Sequence, residues 1–172
     1  MTKPKNKTMA VTAFLALVGI VSVAVTNINW YISLPLVLFY GMIVLNTYFS
    51  MRLFTHIAPS QKALHHIVDG LLVALFVLLA LTFAKPILFA FVVTVLFALA
   101  AIKYTLMLND IPHPRLLKRK IVIDLLGKLM GLITLGGMLA GYTLISSWFL
   151  AITFTVANIS LLFVWPMYRA DQ

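Results

Sequence analysis

TMAVTAFLALVGIVSVAVTNINWYISLPLVLFYGMIVLNTYFSM, the stretch from Thr8 to Met51, carries no Asp, Glu, Lys or Arg. A second uncharged stretch, LMGLITLGGMLAGYTLISSWFLAITFTVANISLLFVWPMY, extends from Leu129 to Tyr168, and there is no Glu anywhere in the chain. A helix that is apolar all round has no face to give to water. With 172 residues, 63% of them hydrophobic, the chain lacks the polar residues to wrap such helices, and a bilayer is the solvent its composition fits. At roughly 20 residues per crossing, there is room for about six spans and almost nothing for a soluble domain. The sequence therefore predicts an all-α fold: a polytopic integral membrane protein built as a bundle of six transmembrane helices.

Spans are predicted at 9–25, 30–49, 67–83, 86–108, 122–145 and 148–167, within a single membrane domain at 9–168. A basic N-terminus (1–8) precedes it and a short tail (169–172) follows. The turns Thr26–Asn29, Ala84–Lys85 and Ser146–Ser147 are so short that they force antiparallel hairpins. Lys3, Lys5, Lys7, Arg52, Lys62, Arg115, Lys118, Arg119, Lys120 and Arg169 all fall at one end of this map, and Lys85 alone at the other. By the positive-inside rule both termini are cytoplasmic, in a plasma (inner) membrane. The formal charge of +9 is then a topology signal, and no nucleic-acid partner is expected. The first apolar run has the basic start of a secretory signal peptide. It lacks a small-residue cleavage site and leads into a second apolar segment, so it is read as a retained helix. Trp30, Tyr31 and Trp148 mark one interface; Tyr48, Tyr104, Trp165 and Tyr168 mark the other. Pro35 and Pro86 sit in first turns, where a missing N–H is tolerated, and Pro166 marks the last helix end.

Four ionisable residues lie in or beside spans: Asp69, Lys103, Asp124 and Lys128. A charge at the centre of a spanning helix costs about 2.5–3.5 kcal/mol on insertion scales, so each needs a partner or a reason to persist. All four lie toward the basic end, and two acids can balance two bases in one ionic network. Asp124 and Lys128 stand at i,i+4 with the acid first, the favourable order for a helical pair. The plainer reading has the aspartates stabilising helix starts while the lysines extend to headgroups.

Gly127, Gly131, Gly137 and Gly141 form two GxxxG motifs in span 5. Small residues at this spacing allow close helix approach, which makes span 5 a tightly packed central helix or a seam for a homo-oligomer or partner subunit. Arg115, Lys118, Arg119 and Lys120 are placed to meet anionic lipid headgroups, at about 1 kcal/mol per cation near a charged surface, although orientation of span 5 accounts for the same residues. His56, His65, His66 and His113 fall in or near the basic-end connections. They are read as interfacial side chains rather than metal ligands, and no pair is placed to clamp haem. The chain has no cysteine, which excludes thiolate metal sites. No cofactor is expected.

Phosphate loops, serine nucleophile motifs and HExxH are all missing, and only four acids are present, so catalysis is not expected. The function that fits best is transport or permeation of an ion, proton or small solute through a polar centre on spans 3–5. In this reading Asp69 or Asp124 takes up a proton or cation while Lys103 and Lys128 balance the charge. A noncatalytic accessory or assembly subunit is the alternative, using the glycine face of span 5 and the basic connections. A lipid-acting membrane enzyme comes third.

Overall fold

The computed structural model describes residues 4–57, 63–108 and 114–164. Lys3, Lys62, His113, Trp165, Pro166, Tyr168 and Arg169 lie outside the described residues. The elements are α1 (Pro4–Val25), α2 (Trp30–Ile57), α3 (Ala63–Leu81), α4 (Pro86–Met107), α5 (Pro114–Leu139) and α6 (Thr143–Ile159), which continues as a π-helical turn at Ser160–Val164. The described residues contain no strand. All six helices are long and apolar enough to cross a membrane, with α6 counted together with its π turn.

Local chemistry sets most of the helix starts. Asn29 caps α2: its side-chain oxygen accepts the Tyr31 N–H at 3.1 Å, and its carbonyl accepts from Ile32 and Ser33. Pro86 opens α4, where a missing N–H costs nothing. Pro114 opens α5, so Arg115 to Lys120 form its first turns and are not a loop. The junction between α5 and α6 corrects the predicted spans 122–145 and 148–167. Gly141 takes a φ of +91°. Its N–H donates to Met138 O at 3.1 Å and that of Tyr142 to Gly137 O at 2.9 Å, the paired bonds of a Schellman stop. The helix therefore ends at Leu139, and Ser146 and Ser147 are buried inside α6. Gly141→Ala is expected to cost about 1–2 kcal/mol, because a Cβ in the left-handed region meets the following carbonyl. Gly136→Ala, where beyond its own helix no described residue lies within 4 Å of the new methyl, should be neutral or stabilising. Thermal melting in detergent compares the two, and equal melting temperatures would remove the strain argument.

The most extensive pairing is α4 with α5; α2 packs on α6 and α1, and α3 on α4 and α1. Half of the membrane-length window of α4 is buried against 28% for α5, so the central helix is α4 rather than span 5. At the end away from the basic residues the bundle is filled by fully buried Leu36, Phe39, Leu79, Phe83, Phe89 and Leu150. The Phe39 ring meets Phe89 edge-on at 5.8 Å and Phe154 at 4.6 Å. Ser33 Oγ donates to the Phe83 carbonyl at 2.9 Å, tying α2 to the end of α3. Outward surfaces carry Leu17, Ile20, Phe91, Leu126, Ile133 and Ile152, all more than half exposed. Such a surface is compatible with hydrocarbon and costly in water. Toward the basic end a smaller cluster of Phe54, Tyr104, Met107 and Leu117 joins α2, α4 and α5. Between the two clusters the packing opens.

Candidate functional site

A cavity of about 890 Å³ lies between these clusters, walled by α1 to α5. Its mouth is at the start of α1 and α3, where Lys7, His66 and Gly70 are exposed. Asn46 and Ser50 of α2, Lys120 and Asp124 of α5 and Tyr104 of α4 form a buried polar wall. Toward mid-bundle the lining becomes Leu15, Ile43, Phe76, Leu96 and Phe97.

Two lysine–aspartate pairs stand in this wall. Lys103 Nζ lies 2.5 Å from Asp69 Oδ1, joining α4 to α3, with the Asp69 side chain 35% exposed toward the mouth. Lys120 Nζ lies 2.6 Å from Asp124 Oδ1 within α5, with both side chains buried. Asp124 Oδ2 is also buried and has no hydrogen-bond partner among the described residues. Tyr104 stands between the pairs. Lys103 Nζ is 5.7 Å and Lys120 Nζ 5.3 Å from its ring centroid, and its hydroxyl shares a 2.8 Å hydrogen bond with Ser50 Oγ. A ring face attracts a desolvated cation by up to about 2 kcal/mol, so Tyr104 holds both lysines in place without adding charge.

Of the predicted network, Asp69, Lys103 and Asp124 line one cavity; Lys128 does not. Asp124 pairs with Lys120, one turn before it, and Lys128, one turn after, makes no ion pair among the described residues. The reason is angular. Residues Leu117, Lys120, Asp124, Gly127, Gly131, Thr134 and Met138 form the buried stripe of α5. At 100° per residue Lys120 shares the mean direction of Gly127 and Gly131, while Lys128 points about 80° away. Lys120 is accordingly a buried partner of Asp124, not a headgroup ligand, whereas Arg115, Lys118 and Arg119 are exposed. Tyr104 likewise leaves the interfacial belt for the site.

The glycine face is spent inside the bundle. A Cβ on Gly127 would meet the Phe97 ring at 2.6 Å, and one on Gly131 would meet Thr94 Oγ1 at 2.6 Å, both on α4. Gly137 lies against Ser146 of α6, and Gly141 serves the turn. The helix that approaches Gly127 and Gly131 is therefore α4 of the same chain. His65 is buried and His66 stands at the mouth. Among the described residues no group of three or more His, Asp or Glu is placed to hold a metal.

The cavity thus offers paired charges, hydroxyls and an amide beside an apolar chamber, the composition of a small-molecule site. Searches against protein-family models, curated proteins and solved structures match nothing to this chain.

Proposed function

We propose that the chain is a small transport or permeation protein of the plasma membrane, with six spans and both termini cytoplasmic, whose solute enters the cavity from the basic end. The observation that carries this reading is the cavity itself: about 890 Å³, reached from one end, with two lysine–aspartate pairs in its wall. Ion pairs among spans are expensive, and such groups mark solute and ion pathways. Lys103 and Lys120 balance Asp69 and Asp124 when the site is empty, which gives Lys120 the role that the sequence assigned to Lys128. The phenylalanine-rich core closes the opposite end, so passage requires that core to repack, as in alternating access rather than an open pore. The accessory reading loses its main support, since α4 already occupies the face at Gly127 and Gly131.

Reconstitution into liposomes tests the proposal, with a pH-sensitive dye and a panel of labelled cations, anions and amphiphiles. Wild-type protein should carry at least one of them faster than empty vesicles. Lys120→Met combined with Asp124→Asn should reduce that flux at least tenfold while the protein still folds. Folded wild-type protein that moves nothing in the panel would sink the transport reading.

A further inference from the structure

The polarity of the cavity changes in the same direction along α1, α3 and α4. On α1 it runs from Lys7 and Thr8 through Val11 to Leu15; on α3, from Asp69 through Val73 to Phe76. On α4 it runs from Lys103 through Ala100 to Leu96, and on α2 the polar Asn46 and Ser50 stand between Ile43 and Phe54. Eight residues at 1.5 Å each make this gradient about 12 Å long. A site for a small hydrophilic ion has no use for the apolar part of such a chamber, and a site for a neutral apolar solute has no use for buried ion pairs. The sign of the polar end is also settled by its residues. Lys7, Lys103 and Lys120 line it together with Asp69 and Asp124, a formal excess of one positive charge with His66 counted as neutral. That excess favours an anionic headgroup over a cation.

We infer that the cavity binds an anionic amphiphile, a carboxylate or phosphate on one unbranched chain, with its headgroup among Lys7, Lys103 and Lys120 and its chain along Val11, Val73 and Leu96. This rests on the reading of the cavity as a solute site and names the class of solute. The exposed Lys7 draws the headgroup in at the mouth, and the anion then shares Lys103 with the partly exposed Asp69. The buried Lys120–Asp124 pair stays closed and forms the α5 wall. The chain fills space that water would otherwise occupy among apolar side chains, which gives the affinity a dependence on chain length.

Equilibrium binding of radiolabelled decyl phosphate to the full chain in zwitterionic-lipid nanodiscs, with empty nanodiscs subtracted, tests this. Saturable binding is expected, with affinity rising about fourfold per methylene from octyl to decyl phosphate, from about 0.8 kcal/mol per buried CH₂. Lys7→Gln, at an exposed position where folding is not at risk, should weaken binding about fivefold, the effect of one surface cation. Inorganic phosphate and decyl maltoside should not compete. Competition by inorganic phosphate as strong as by decyl phosphate would show a free-anion site; equal competition by decyl maltoside would show an apolar site. Either result overturns the inference, as does the absence of saturable binding. Flux separates this from the broader proposal: saturable binding with no transport of any solute leaves the inference standing and removes transport. Proton or cation flux without decyl phosphate binding does the reverse.

Discussion

Asp124→Asn is expected to destabilise the protein by about 3–5 kcal/mol, because it removes the carboxylate that balances the buried Lys120 ammonium. A buried ion pair contributes little net stability over an apolar replacement, but breaking it leaves the desolvation cost of the survivor unopposed. Lys120→Met added to Asp124→Asn should therefore recover most of the loss. Lys128→Met, which touches no ion pair among the described residues, should change stability by no more than about 0.5 kcal/mol. Detergent melting of the four variants, with chemical denaturation to place them on a free-energy scale, measures the pattern. If Lys128→Met instead of Lys120→Met rescued Asp124→Asn, the pairing described here would be wrong.

That experiment also locates where the sequence stopped being informative. Six apolar helices were legible because long apolar runs with at most two charges have few soluble alternatives, and the helices fall where those runs fall. The α5–α6 boundary was not legible, because Gly137 and Gly141 satisfy a packing motif and a helix stop equally well. Only the backbone decides, and at Gly141 it takes a φ of +91°. The pairing of Asp69 with Lys103 joins separate helices, so no spacing rule could announce it; their common depth was the sole signal. For Asp124 a signal existed. Both neighbouring lysines stand one turn away, and the familiar preference for acid before base favoured Lys128. That preference comes from solvent-exposed helices, whereas here burial selects the partner that lies on the glycine stripe. Tyr104 carried no marker distinguishing a site residue from an interfacial tyrosine, since its role comes from the lysines that α4 and α5 bring to its ring. The cavity is likewise a product of packing, formed where the cluster around Phe54 and the core around Phe76 fail to meet.

Gly131→Leu is expected to cost at least about 3 kcal/mol and to damage the site from a distance. A Cβ at Gly131 would stand 2.6 Å from Thr94 Oγ1 and 3.2 Å from both the Cα and the N of Thr94. The hydroxyl is committed to the Ala90 carbonyl at 2.9 Å, and backbone atoms in mid-helix cannot turn aside. Relief therefore requires α4 and α5 to separate. Overpacking in a closely fitted interior costs about 1–3 kcal/mol even where side chains can adjust, and here the obstacle is backbone. Gly127→Leu should be milder, because the atoms in its way belong to the Phe97 ring, a side chain with some freedom to move into the adjoining cavity. Gly41→Leu serves as the control, since nothing lies within 4 Å of a methyl there and the position faces outward on α2. Separation of α4 from α5 would also draw Lys120 away from the Tyr104 ring that it now shares with Lys103. In the Gly131 variant, decyl phosphate binding should accordingly weaken even at temperatures where the protein remains folded. Equal melting temperatures for the Gly131 and Gly41 variants would show that α4 and α5 are not in close backbone contact. A large loss of stability with unchanged binding would show that the site does not depend on how the two helices are seated.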